Sequence, residues 1–169
     1  MEEKILIKPI PIDWSKYHRY MPHSGMCGST TIWMILQACG IKRPLWYINY
    51  FVYKSWWGVC PQLFIAFLSR YFSGVNFKTQ ASIADISFHL KQNHIVVLNW
   101  WDKDNGHWSI VSDCQKGLLT MIDSSRERDW EWVMSTKELK SVWWDTLNVD
   151  NNIYHTGMMV WIDWKSKKV

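Results

Sequence analysis

The spacing of the apolar residues changes character once along this chain, and that change limits the folds open to it. After a segment to about Pro22 that carries Pro9, Pro11 and Pro22 and reads as extended or irregular, the apolar positions recur at helical spacing from Cys27 to Asn93 and then fall into short strand-like runs. Ile32, Ile35, Leu36 and Cys39 mark a first helix that starts near Cys27 and closes at Gly40. A second follows Pro44 and runs to about Lys54. A third starts near Pro61, lines up Leu63, Phe64, Phe67, Leu68 and Tyr71, and stops at Ser73-Gly74. A fourth opens on the capping box Ser82-x-x-Asp85, with Ile83, Ile86 and Leu90 on its apolar face. Strands are then expected at Ile95–Trp100, Trp108–Val111, Leu118–Ile122 and Met158–Ile162, with one more helix opened by Ser135-x-x-Glu138. Helices first and strands later imply an α+β fold, with N-terminal helices packed on a C-terminal antiparallel sheet.

No repeat, linker or composition break divides the 169 residues, so a single domain over 1–169 is expected. Fourteen Trp, seven Tyr and six Phe are more aromatic surface than a small core can hide, so some rings should line a groove. In the pairs Trp56-Trp57, Trp100-Trp101 and Trp143-Trp144, one ring of each should point away from the core, where burial against a helix is the simplest expectation and an aromatic cleft for a peptide or apolar substrate the alternative. Of the net charge of +4, three positives sit in the tail Lys165, Lys167 and Lys168, and no basic stripe suggests a nucleic-acid partner. No run approaches the roughly 18 apolar residues of a membrane span. The opening Met1-Glu2-Glu3-Lys4 lacks the apolar run of a signal peptide. Four cysteines (Cys27, Cys39, Cys60 and Cys114) form no Cys-x-x-Cys pair, so reduced thiols and a cytoplasmic location are expected.

Neither a metal nor a cofactor is expected. Cys27, Cys60, Cys114 and His107 lack zinc-ligand spacing, and Asp102-x-Asp104-x-Gly106 lacks the Glu that closes a calcium loop. No Gly-rich phosphate loop is present.

The segment Ser24-Gly25-Met26-Cys27-Gly28-Ser29-Thr30-Thr31 carries the sharpest chemical signal. It sets a thiol at the first turn of a helix, where the partial positive charge of the N-terminus favours a thiolate. The unpaired N–H groups of that turn can also meet a developing oxyanion. A nucleophilic Cys needs a base and a group to orient that base. Asn105-Gly106-His107-Trp108 supplies a His at the mouth of a strand, and Ile122-Asp123 ends the neighbouring strand in a carboxylate. A hairpin centred on Gln115 would set His107 opposite Asp123, with Cβ atoms about 4.5–5.5 Å apart. A one-residue slip would part them. Of the other histidines, His89 falls within a helix, His94 opens a strand, and His18 and His155 have no companions in the sequence.

The Cys27-Gly28 helix start, the Gly106-His107-Trp108 strand start and the Ile122-Asp123 strand end resemble the papain-like cysteine peptidase superfamily. The likeness covers about Met21 to Ile162 and is nearest to the double-glycine leader peptidases of bacteriocin exporters. Leu90-x-x-Asn93-x-Ile95-Val96-Val97 is similar to the helix-to-strand step of that branch. The resemblance implies a papain-like fold in which Cys27 is nucleophile, His107 base and then acid, and Asp123 the orienting group. One position departs: Met21 stands where the superfamily has a Gln whose side chain donates to the oxyanion. The nearest polar replacement is His23, four residues before Cys27, with Ser24 a weaker choice. Trp108, beside the base, is the first candidate for a substrate groove.

The resulting expectation is a cysteine peptidase or amidase acting on a peptide or protein substrate. An acyltransferase would use the same three residues. An inactive peptide-binding module of the same fold is the third reading, favoured by Met21 and opposed by the intact Cys27, His107 and Asp123.

Overall fold

A computed structural model of the chain describes residues 11–54, 58–103, 105–148 and 153–168, with the side chains of 146–148 and 153–154 left aside. Met1–Lys4, the Trp56-Trp57 pair and Asp104 lie outside the described residues. Three helices come first: α1 (Cys27–Ala38), α2 (Leu45–Val52) and α3 (Pro61–Leu68). They are followed by β1 (Val75–Lys78), α4 (Ile83–Lys91), β2 (Ile95–Asp102), β3 (Asn105–Gln115) and β4 (Leu118–Ile122). The chain continues through β5 (Glu131–Ser135), α5 (Thr136–Val142), β6 (Trp144–Asn148), β7 (Ile153–Thr156) and β8 (Met158–Ile162). Six strands form one antiparallel sheet in the order β1-β8-β2-β3-β4-β5, and β6 and β7 form a separate hairpin.

The fold is α+β, as the change in period requires, but its helices cover both faces of the sheet. Along β2, Ile95 and Val97 join a core with α1, α2 and α3, whereas Val96, Leu98 and Trp100 join a second core with α4 and α5. A strand buried on both faces has no polar side to alternate with, and so it reads as the continuous run Ile95-Val96-Val97-Leu98. Four strands escape the sequence pattern. β1 and β5 are short edge strands with exposed or charged alternate positions, and β6 and β7 form a two-stranded ribbon off the main sheet.

The β3–β4 hairpin corrects the expected register. Its turn residues are Lys116 and Gly117, both at positive φ (51° and 78°), so Gln115 pairs with Leu118 and the hairpin centre falls later than Gln115. A bulge between Val111 and Asp113 then inserts Ser112 as an extra residue, beyond which Ile110 pairs with Ile122. Val111 and Cys114, three apart, accordingly share the second core. Without the bulge the period of two would leave His107 and Asp123 on opposite faces. With it they share one.

Gly28, the second residue of α1, lets that helix press against the sheet. A Cβ there would stand 2.6 Å from Val59 Cβ and 3.0 Å from Trp108 Cδ1. Gly→Ala in an unstrained helix gains about 1 kcal/mol. Gly28→Ala is instead expected to cost about 1–3 kcal/mol from the overlap, read as a lower urea midpoint at unchanged slope. A raised midpoint would mean that the contact yields freely.

Candidate active site

Cys27 opens α1, whose N-cap residue Met26 makes no side-chain capping bond. The Ser29 hydroxyl turns instead to Met26 O (3.2 Å) and Asn49 Oδ1 (3.0 Å), and Thr31 Oγ1 donates to Trp108 O (3.2 Å). The start of α1 is thus fastened to α2 and β3 without a side chain closing over its first N–H groups. Cys27 is 5 % exposed, and its sulfur makes a long 3.9 Å contact to Gly106 O at the start of β3.

His107 follows Gly106 and is also buried. Its Nε2 meets Asp123 Oδ1 at 2.8 Å, which leaves Nδ1 as the nitrogen free to serve Cys27. Burial by itself would lower the imidazole pKa. The negative charge of Cys27, the hydrogen bonds to Asp123 and Cys27, and the Asp123 charge outweigh it and raise the pKa from 6.5 to about 10. Trp100 stands edge-on to the ring, with centroids 5.4 Å apart.

Asp123, just past the end of β4, has no exposed surface. Its Oδ1 also accepts from Ser125 N (2.7 Å), the bond of an Asx turn. Oδ2 accepts from Ser109 Oγ (3.2 Å) and from Trp132 Nε1 (3.4 Å). Arg128 Nη1 lies 3.6 Å from the same oxygen. Burial pushes this carboxyl up, but His107, the Ser125 N–H and Arg128 together hold it below its ordinary 3.8. The structure therefore brings Cys27, His107 and Asp123 together at the rim of the sheet.

The remaining expected residues fare differently. His23 is exposed, on the turn before α1, with its carbonyl accepting from Met26 N. Met21 packs half-buried against the α1–α3 core, and its N–H donates to Ser124 O (2.8 Å). Trp108 is not a groove wall. It is 2 % exposed, stacked 4.1 Å from Phe64, and its Nε1 donates to Val59 O, because alternation along β3 turns it into the α1–α3 core. His18 does have a companion, for its Nε2 meets Asp123 O at 2.9 Å. His155 is buried with neither ring nitrogen bonded, and burial lowers its pKa to about 4. Among the described residues no group of three or more His, Cys, Asp or Glu is placed to hold a metal, and no helix is long and apolar enough to cross a membrane.

Sequence reasoning missed Ser109, Ser125, Arg128, Trp132 and Asp145. Ser109 was within reach, two residues from His107 on one strand face, and so was Ser125, two residues after an Asp. Arg128 and Trp132 had no pattern to mark them. The Asp145 carboxylate packs on Gly106 so closely that a Cβ there would fall 1.8 Å from Oδ2. The outward rings Trp101 and Trp144 stack on each other (4.4 Å, 14°) and hold β6 beside β2.

No protein-family model matches the sequence, and no curated protein matches it significantly. Solved structures do resemble it. A double glycine motif protease from an AMS/PCAT transporter, in complex with the leader peptide, aligns at TM-score 0.61 and 11% identity, covering 86% of this chain and 89% of that one. The peptidase domain of Streptococcus ComA, a bi-functional ABC transporter of a quorum-sensing pathway, aligns at 0.62 and 12%, covering 85% and 96%. A Bacillus anthracis protein described as a C39-like peptidase aligns at 0.67 and 13%, covering 92% and 97%. The fold is thus the papain-like α+β fold of double-glycine peptidase domains.

Two measurements probe this geometry. Iodoacetamide at pH 6 is expected to label Cys27 well ahead of Cys39, whose thiol burial pushes up to about 11, and ahead of Cys60 and Cys114. Equal labelling of the four thiols in the folded protein would remove the case for Cys27. The His107 pKa is raised on folding, so its stabilisation is full below about pH 6.5 and is lost as pH rises toward about 10. The gap in urea midpoint between the wild type and His107→Asn should therefore narrow over that range.

Proposed function

We propose that the chain cleaves a peptide or amide bond through an acyl-enzyme, with Cys27 as nucleophile, His107 as acid and base, and Asp123 as orienting group. The observation that carries this reading is the fully buried Asp123–His107 bond of 2.8 Å, with Cys27 as the charge partner of the same ring. The Cys27 thiolate attacks the carbonyl carbon, and the carbonyl oxygen takes the electron pair. Its negative charge faces the backbone N–H of Cys27 and the His23 side chain. As the tetrahedral adduct collapses, the C–N bond breaks and the His107 imidazolium gives its proton to the departing amine. A thioester on Cys27 remains.

Acylation also resets the base. The largest influence raising the His107 pKa is the negative charge of Cys27, and the thioester removes that charge. Burial, which lowers the pKa, then acts against a smaller opposition. His107, neutral once it has protonated the amine, thus holds a new proton less strongly when it takes one from water. Water attacks the thioester as His107 takes one of its protons, the C–S bond breaks, and the carboxylic acid leaves the Cys27 thiolate and His107 imidazolium with which the cycle began. A peptide substrate is supported by the kinship of fold with a protease whose structure contains a leader peptide.

The test begins with a peptidyl electrophile and mass spectrometry, which should find the label on Cys27 and lose it in Cys27→Ala. Peptide cleavage, followed by mass spectrometry on a mixed peptide library, should fall by about 10²–10⁴ in His107→Ala and in Asp123→Asn. Labelling with no cleavage of any peptide would favour the binding module. Product formation that requires an added amine would favour the transferase. His23→Ala should lower turnover by about 10²-fold while leaving Cys27 alkylation intact, since an oxyanion donor acts on the transition state. Unchanged turnover would leave the oxyanion to backbone groups alone.

A further inference from the structure

Arg128 lies on the β4–β5 connection and is mostly buried, although long cationic side chains usually keep their heads in water. Its guanidinium lies against two neighbouring indoles, 5.3 Å from the Trp100 ring centre and 4.9 Å from that of Trp132, which are 6.0 Å from each other. Each of those rings also touches the site. Trp100 stands edge-on to His107, and Trp132 donates to Asp123 Oδ2. One end of the guanidinium, Nη2, is bonded to Asp102 at the end of β2, and the other, Nη1, points at Asp123 Oδ2 from 3.6 Å. Acidic and basic side chains therefore alternate from Asp102 through Arg128 and Asp123 to His107, beside Cys27.

We propose that Arg128 is a positioning residue for the Asp123–His107 pair, and that Asp102 sets how strongly it acts. The proposal rests on the role given above to Cys27 and His107. A planar fork laid against two rings and bonded to Asp102 holds its charge at a fixed distance from Asp123, which the flexible ammonium of Lys does not do. At 3.6 Å the contact is longer than a charge-assisted hydrogen bond, so Arg128 works mainly through its charge. That charge favours the ionised carboxylate and opposes a proton on His107. Asp102 binds the far side of the guanidinium and draws part of its field away. Among the described residues, the titratable groups that face Arg128, Asp123 and His107 include Cys27 of α1, His18 of the N-terminal segment, Lys103 after β2, Glu127 beside Arg128, Glu138 of α5 and Asp145 of β6.

The experiment is the pH profile of Cys27 alkylation by iodoacetamide, followed by mass spectrometry on the full chain, which needs no known substrate. Loss of the Arg128 charge in Arg128→Gln should shift both limbs of the profile to higher pH by about one unit. Arg128→Lys should restore part of that shift. Asp102→Asn should move the limbs the opposite way, to lower pH, because the full Arg128 charge then falls on Asp123. A purely structural role would lower the rate at every pH and move no limb. Limbs that stay in place in both Arg128→Gln and Asp102→Asn, while His107→Ala still changes the profile, would overturn this proposal alone. A His107→Ala profile equal to the wild type would overturn it together with the catalytic reading.

Discussion

A carboxylate with no exposed surface is costly unless its lone pairs are taken up, and Asp123 imposes that requirement on every element around it. The donors to its carboxylate come from different parts of the chain: the His107 and Ser109 side chains of β3, the Ser125 backbone N–H in the turn after β4, and the Trp132 indole of β5. The backbone at the same point is held as tightly. Asp123 N donates to Trp130 O, Asp123 O meets His18 Nε2, and Ser124 O accepts from Met21 N. The N-terminal segment is thus fixed to the sheet at the residue bonded to the His107 imidazole. Loss of any one donor leaves part of a buried charge unsatisfied, so the arrangement resists piecemeal loosening.

The same closeness explains two glycines. Gly28 follows Cys27 and Gly106 precedes His107, and each is pressed on by another element, Val59 and Trp108 on one side and the Asp145 carboxylate on the other. A side chain at either would push thiol and imidazole apart. The stacked Trp101 and Trp144 rings hold the β6–β7 hairpin where Asp145 can reach Gly106. Part of the large Trp content therefore serves to set one element's distance from another, while Trp108, the expected groove residue, lies in the core.

The fold class was legible because the apolar period changes after Asn93, and Cys27-Gly28 and Gly106-His107 were legible as a helix start and a strand start. What periodicity cannot see is a residue added to a strand. The hairpin centred on Gln115 was misplaced, since Lys116 and Gly117 form the turn, and a regular ladder from that turn would have put His107 and Asp123 on opposite faces. The bulge at Ser112 restores them to one face, two positions from the expected pairing. The meeting of the two side chains was thus reached through a register that differs by an even number, which preserves the face. Arg128 was invisible for another reason: its partners Asp102 and Asp123 are 26 and 5 positions away and share no repeat with it.

Position 21 ties the helix start to the chemistry. The Met21 side chain packs against the α1–α3 core and has no proton to give, and its N–H is committed to Ser124 O. On the proposed reading of Cys27 as nucleophile, the donor to the oxyanion must therefore come from elsewhere. The helix itself offers part of the answer, because Met26 provides no side-chain cap and Ser29 turns its hydroxyl to Met26 O and Asn49. A cap such as Ser or Asp at position 26 would stabilise α1 by about 1 kcal/mol, and it would also occupy an N–H of the first turn. An uncapped start keeps those donors and the positive end of the helix dipole available beside the sulfur, at some cost in helix stability.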